Sequence, residues 1–193
     1  MRSIEAHSYG CVMAMLDGDV KERLIHYAMA IPEEDLFTDG SGEHGAETEP
    51  HITVKYGVHT DDPDEVAKAL AGQATAGATL RGLSVFENED FNVLKVDIDS
   101  KCLARLNKAI YDGLETTDTH PVYHPHATVA YLKKDVDYKK YFTKMFDGVA
   151  VEFTRLRWSP ANGKKTWIPL SEGTAMAARD MLRLARDLIA NGQ

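Results

Sequence analysis

Two short stretches of the chain carry residues that could share acid–base chemistry. Residues 50–57 read Pro-His-Ile-Thr-Val-Lys-Tyr-Gly and residues 125–132 read Pro-His-Ala-Thr-Val-Ala-Tyr-Leu. Pro50, His51, Thr53, Val54 and Tyr56 therefore match Pro125, His126, Thr128, Val129 and Tyr131. Both copies are rich in β-branched and aromatic residues and have the length of one strand. Strand side chains alternate, so His51 and Thr53 share a face, as do His126 and Thr128. One His-x-Thr strand means little. Two with the same flanks point to a single site built from two halves.

Histidine titrates nearest neutrality, so a pair can hold one neutral and one protonated member together. The neutral ring can take a proton from a nucleophile while the imidazolium gives one to a leaving oxygen. That division suits phosphodiester cleavage, and each threonine hydroxyl can donate to a non-bridging phosphate oxygen. The arrangement requires no metal and no cofactor. A lone histidine is usually structural, but the matched contexts of His51 and His126 weigh against that reading. His120, His124 and His126 cluster, yet Pro121 and Pro125 interrupt them and neither a His-Glu-x-x-His nor a cysteine pair is present. No elbow motif or activated cysteine context favours a Ser or Cys nucleophile.

The elements that must position these residues follow from periodicity. An apolar run over 9–16 predicts a central strand, and Asp19 with Glu22 predicts a capped helix that ends before Pro32. Residues 38–49 hold three glycines and four acids without apolar periodicity and read as a long loop bordering His51, a lid or substrate-shaping segment. Asp62-Pro63 opens a helix through Leu70. The alternating runs 78–87 and 91–98 predict a hairpin. Ser100 caps a helix that buries Leu103, Leu106, Ile110 and Leu114. After the second repeat, a lysine-rich helix with Tyr138, Tyr141, Phe142 and Met145 is expected, then strands over 149–158 and 165–170. A helix over about 172–190 closes the chain. Each half thus reads as strand, helix, His-x-Thr strand, helix and strand pairs, the pattern of an α+β or α/β sandwich with helices outside. Ile52, Val54, Tyr56, Ala127, Val129 and Tyr131 are expected beneath those helices.

Bulk properties narrow the partners. The chain has 193 residues, 44% hydrophobic and 27% charged, enough for one domain with two lobes. No apolar run approaches the ~18–20 residues of a membrane span, and the first residues lack a signal peptide's apolar core. Two cysteines give neither a disulfide framework nor zinc spacing, which predicts a cytosolic, reduced protein. A net charge of −8 argues against long nucleic acid as partner. The charge is uneven, with seven Lys/Arg against twenty Asp/Glu in residues 1–100 and fifteen against ten afterwards. A local positive wall around a small anion is compatible with that asymmetry.

The paired His-x-Thr strands resemble the 2H phosphoesterase superfamily over nearly the whole chain. The resemblance implies an α+β fold of two pseudo-symmetric antiparallel sheets forming a central cleft, with helices on the outer faces. Residues 1–193 would then make one bilobal catalytic domain. The segments Tyr9-Gly-Cys-Val-Met-Ala, Ile31-Pro-Glu-Glu-Asp-Leu and Glu49-Pro-His-Ile-Thr-Val-Lys-Tyr-Gly-Val-His resemble, more narrowly, the phage anti-CBASS nucleases. That branch implies metal-independent hydrolysis of 3'-5' bonds in small cyclic oligonucleotide signals, counteracting antiviral defence in a host bacterial cytoplasm. His51, Thr53, His126 and Thr128 hold the catalytic positions of the family. The alternatives are a 2',3'-cyclic or 2',5'-phosphodiesterase of RNA metabolism and a non-catalytic nucleotide sponge.

Base recognition must come from other residues. Aromatic faces stack bases and carboxylates accept from exocyclic amines. Tyr9, opening the first strand, is expected to bind substrate, as are Glu152 and Trp158, which fall on one face of 149–158 by even spacing. Lys55 follows Thr53 on the catalytic face and is expected to contact phosphate. Arg155 and Arg157 fall on the opposite face from Glu152 and read as solvated.

Overall fold

The computed structural model describes residues 9–42, 44–118 and 122–171. The helix expected over 172–190 and His120 of the histidine cluster lie outside the described residues. Among the described residues, no helix is long and apolar enough to cross a membrane.

In chain order the elements are β1 (Gly10–Met15), α1 (Gly18–Met29), β2 (His51–Val58), α2 (Pro63–Ala69), β3 (Ala76–Glu87), β4 (Phe91–Asp99), α3 (Lys101–Gly113), β5 (His126–Lys133), β6 (Ala150–Phe153), β7 (Arg155–Ser159) and β8 (Thr166–Pro169). The strands run antiparallel in the order β6-β3-β4-β5-β2-β1-β7-β8. The centre of this sheet is its weakest junction, because β2 and β5 share only the pair Ile52↔Ala127. The sheet is therefore two four-stranded lobes, β2-β1-β7-β8 and β5-β4-β3-β6, joined at one crossing. Each is built on the same strand–helix–strand unit, β1-α1-β2 and β4-α3-β5.

Helix formation follows local signals with one shift. Asp62 accepts from the Asp64 amide, and the Ser100 hydroxyl accepts from the Leu103 amide at 3.0 Å. The N-cap of α1 is Asp17 rather than Asp19, and its side chain makes no capping bond. On α3, Leu103, Leu106 and Ile110 are fully buried as their spacing requires. The lysine-rich segment does not become the expected helix. Only a 3-10 turn forms, Tyr138–Tyr141, because Phe142 and Met145 remain exposed and offer no packed stripe to sustain more turns. The expected strand over 149–158 is also two strands. Thr154 interrupts it, its carbonyl accepting from the Leu170 amide, and the chain passes there from the edge of one lobe to the interior of the other.

Beyond the crossing, β2 and β5 diverge and leave their facing edges unpaired, a condition that buried backbone cannot sustain. Each edge is filled by the segment preceding the other lobe's His-x-Thr strand. The Phe37 and Glu47 amides donate to Tyr131 and Val129 carbonyls, both at 2.9 Å, while the Thr117 amide donates to the Gly57 carbonyl at 2.8 Å. The acidic loop is thus strapped along β5. Gly57 is required at its place: φ is +86°, and a Cβ there would sit 2.0 Å from the Thr117 carbonyl oxygen.

Candidate active site

The single β2–β5 crossing assembles the candidate catalytic groups. Ile52 lies between His51 and Thr53, and Ala127 lies between His126 and Thr128. Pairing Ile52 with Ala127 in antiparallel register sets His51 opposite Thr128 and Thr53 opposite His126. Ile52 and Ala127 are fully buried on the opposite face, so all four functional side chains project together, partly exposed.

Both rings are fixed in the same way. His51 Nδ1 lies 3.0 Å from the Glu49 carbonyl oxygen, and His126 Nδ1 lies 2.9 Å from the His124 carbonyl oxygen. A carbonyl only accepts, so Nδ1 carries the proton in each and Nε2 is left for proton transfer. The intervening Pro50 and Pro125 hold residues 49 and 124 out of the helical region, which aims each carbonyl at the ring two residues on. Burial pushes the His126 pKa below the ordinary histidine value. The bond to the His124 carbonyl opposes that shift, and the Lys95 charge assists it.

After each threonine the strand carries one extra residue. Met13 pairs with Thr53 while Val12 pairs with Lys55, which leaves Val54 unpaired; Lys95 pairs with Thr128 while Leu94 pairs with Ala130, which leaves Val129 unpaired. These bulges reverse the alternation beyond the threonines. Lys55 therefore turns away from the catalytic face. It is buried beneath α3, ion-paired with Asp118, and its ammonium lies 4.9 Å from the Tyr111 ring centroid. Its burial and its ion pair rule out the expected direct phosphate contact by Lys55. Tyr56 and Tyr131, expected under the helices, return instead to the partly exposed catalytic face; Val54 and Val129 stay buried.

The remaining expected binding residues separate. Tyr9 lies beside the catalytic strand, stacked on His59 with centroids 4.7 Å apart and edge-on to Tyr56 at 6.4 Å. With Asp61 and Asn162 it borders a cavity of about 230 Å³. Trp158 has no exposure, so it cannot stack a ligand: on β7 it faces the helix-covered side, and its ring occupies the space over Gly10. Glu152 is exposed on β6, the outer edge strand, opposite Gly77 and far along the sheet from β2. The even spacing that joined Glu152 to Trp158 fails because Thr154 breaks the strand.

Charges on the flanking strands, among them Arg157, which was expected to be solvated, sit beside the histidines. Arg157 pairs across from Met13, the neighbour of Thr53, and forks onto the Glu49 carboxylate at 2.6 and 2.9 Å. Its guanidinium buttresses the residue whose carbonyl orients His51, and it draws the Glu49 carboxyl below the usual carboxylate range. In the other lobe, Lys95 pairs across from Thr128 and Asp97 from His126. Lys95 is only 6% exposed and is bound by Asp97 and by Ser84 Oγ at 2.6 Å. The Tyr123 hydroxyl donates to the Thr53 carbonyl at 3.0 Å. Lys95, Asp97 and Asp99 stand at alternate positions of β4, a local signal for charges on one face, whereas Arg157 had no local signal. Among the described residues, no group of three or more His, Cys, Asp or Glu is placed to hold a metal ion.

The profile of the 2'-5' RNA ligase superfamily matches residues 35–161, a span that contains both His-x-Thr strands and all of β7. The chain belongs to this superfamily. Solved structures agree with the superfamily's fold: the protein TT0787 of Thermus thermophilus superposes with a TM-score of 0.59 at 16% identity, covering 85% of this chain and 98% of that one. Escherichia coli LigT complexed with 3'-AMP gives 0.52 at 18% identity, over 85% of this chain and 95% of LigT. LigT complexed with NADP+ gives 0.51 at 17%, with the same coverage. Identities this low speak for the α+β fold. No curated protein sequence matches the chain.

Proposed function

We propose that the protein is a metal-independent phosphodiesterase that hydrolyses 3'-5' bonds of small cyclic oligonucleotides by two-histidine acid–base catalysis. The observation that carries this is the crossing of β2 and β5, where two imidazoles with identically anchored Nδ1 atoms share one face with two threonines. His126, whose pKa burial lowers, takes the proton of the attacking water or ribose 2'-hydroxyl at Nε2. His51 donates a proton to the departing oxygen, which would otherwise leave as an alkoxide. The Thr53 and Thr128 hydroxyls donate to the non-bridging oxygens, where charge concentrates as the bond to phosphorus forms. Tyr9 supplies a stacking surface for a base beyond Thr53. The narrower resemblance to anti-CBASS nucleases supports the cyclic substrate and a role against host defence.

A second reading is favoured by the superfamily and by LigT, which has been solved with 3'-AMP: a 2',3'-cyclic or 2',5'-phosphodiesterase of RNA metabolism, using the same four residues. Incubation of 3',3'-cyclic GMP–AMP with the protein in EDTA, followed by chromatography, separates the readings. Linear product supports the proposal, and its loss in His51→Ala and His126→Ala supports the roles given. Cleavage of 2',3'-cyclic or 2',5'-linked substrates alone supports the second reading. Unchanged nucleotide retained by the protein would mean sequestration. Full activity in either histidine variant would sink the acid–base assignment.

A further inference from the structure

The two lobes correspond residue by residue through their strand registers. Thr128, Tyr131, Lys95 and Val93 in the second lobe correspond to Thr53, Tyr56, Met13 and Cys11 in the first. One strand further out, Ser84 opposite Lys95 corresponds to Arg157 opposite Met13, and Phe86 opposite Val93 corresponds to Ser159 opposite Cys11. The second lobe therefore has an aromatic ring where the first has a hydroxyl.

That ring is both exposed and held. Phe86 is 41% exposed although it stands beside the candidate catalytic groups. It meets His126 edge-on, with centroids 5.0 Å apart and planes at 84°. The Lys95 ammonium lies 4.2 Å from its centroid and is itself immobilised by Asp97 and Ser84. A cation against one face draws π-density from the ring, which makes it a better partner for an electron-rich purine. Leaving a phenylalanine in water gains nothing for folding, whereas an aromatic face beside a phosphodiester site is what stacks a base. In the first lobe, where Ser159 takes the place of Phe86, the aromatics Tyr9, Tyr56 and His59 gather further along the strand, beyond Thr53.

We infer that Phe86 is the stacking platform for the nucleobase on the His126 side of the scissile phosphate, so that the cleft holds two bases in unequal subsites. This rests on reading the cleft as a nucleotide phosphodiesterase site. Lys95 acts as a positioning residue beneath the platform. The first base stacks against Phe86 adjacent to His126, and the second lies toward Tyr9.

The test uses the full chain carrying His51→Ala, which blocks turnover and leaves the Phe86 face intact. Two 3'-5'-linked dinucleotides with 2-aminopurine at either the 5' or the 3' position are titrated by fluorescence. One isomer should be quenched through Phe86. Adding Phe86→Ala should remove that quench and weaken binding roughly 5- to 100-fold, while Phe86→Trp retains both. Tyr9→Ala should weaken the response of the other isomer. Unchanged affinity and quench in Phe86→Ala, with the fold verified by circular dichroism, would overturn the platform alone. Binding of neither isomer to the His51→Ala protein would overturn the nucleotide-site reading itself.

Discussion

Replacing Arg157 by Met tests whether a residue distant in sequence holds His51 in place. The guanidinium side chain is 11% exposed and the Glu49 side chain 52%, and two charge-assisted bonds of 2.6 and 2.9 Å join them. Exposed ion pairs contribute ~0.2–1 kcal/mol, whereas breaking a buried pair costs ~3–5 kcal/mol. With one partner nearly dry and the other half in water, a loss of about 1–2 kcal/mol at pH 7 is expected. Arg157 lowers the Glu49 pKa on folding, so the pair's contribution is present above the unfolded value near ~4.3. It is lost as pH falls through the folded value. Urea denaturation of the parent and of Arg157→Met at pH 7 and pH 3.5 should therefore show a gap that shrinks in acid. Because the Glu49 carbonyl orients His51, kcat should drop roughly 10-fold through misalignment. Arg157→Lys, which keeps charge without the fork, should fall between. A stability gap equal at both pH values would refute the ion-pair account. Unchanged kcat with the gap present would refute the link to His51.

Other outcomes follow from the same geometry. The pH profile of kcat/KM should be a bell whose ascending limb lies below the ordinary histidine value of ~6.5, since His126 must lose its proton to act as base. Lys95→Met should move that limb upward, and an ascending limb above the ordinary value in the parent would contradict the assignment. Trp158→Ala should cost about 3–5 kcal/mol in denaturation because it empties the core, whereas Tyr9→Ala should alter nucleotide KM with little change in stability. Gly57→Ala should destabilise by at least ~2 kcal/mol through its left-handed φ and its clash with Thr117, as a thermal melt would show. Burial pushes the Cys11 thiol up to about 11, so it should react with Ellman's reagent at pH 8 far more slowly than free cysteine. Rapid modification of Cys11 in Cys102→Ala protein would contradict the raised thiol pKa.

Much of the scaffold was legible because its causes are local. The alternation in 91–98, the caps at Asp62 and Ser100 and the stripe on α3 each depend on neighbours within a few residues, and each element formed where those signals stand. Local signals also misled where a tertiary demand overrode them. The Tyr138–Met145 segment packs Tyr138 and Tyr141 on the core but leaves Phe142 and Met145 exposed, so no continuous helical stripe forms, and Thr154 split a run whose alternation looked continuous. The loop before His51 was recognisable as a loop, but its place along β5 depends on an edge that exists only once the lobes diverge.

By itself the sequence determined that two His-x-Thr strands exist and that each puts its histidine and threonine on one face, since a period of two needs only the strand. It also carried the family resemblance. Tertiary structure alone decided three things. It set each histidine directly opposite the other strand's threonine, because register is a property of two strands. It turned Lys55 away and brought Tyr56 and Tyr131 back, because a bulge is an offset between partners rather than a feature of one chain. And it delivered Arg157 to Glu49 across 108 residues and Phe86 to His126 across the sheet, contacts that no local spacing encodes.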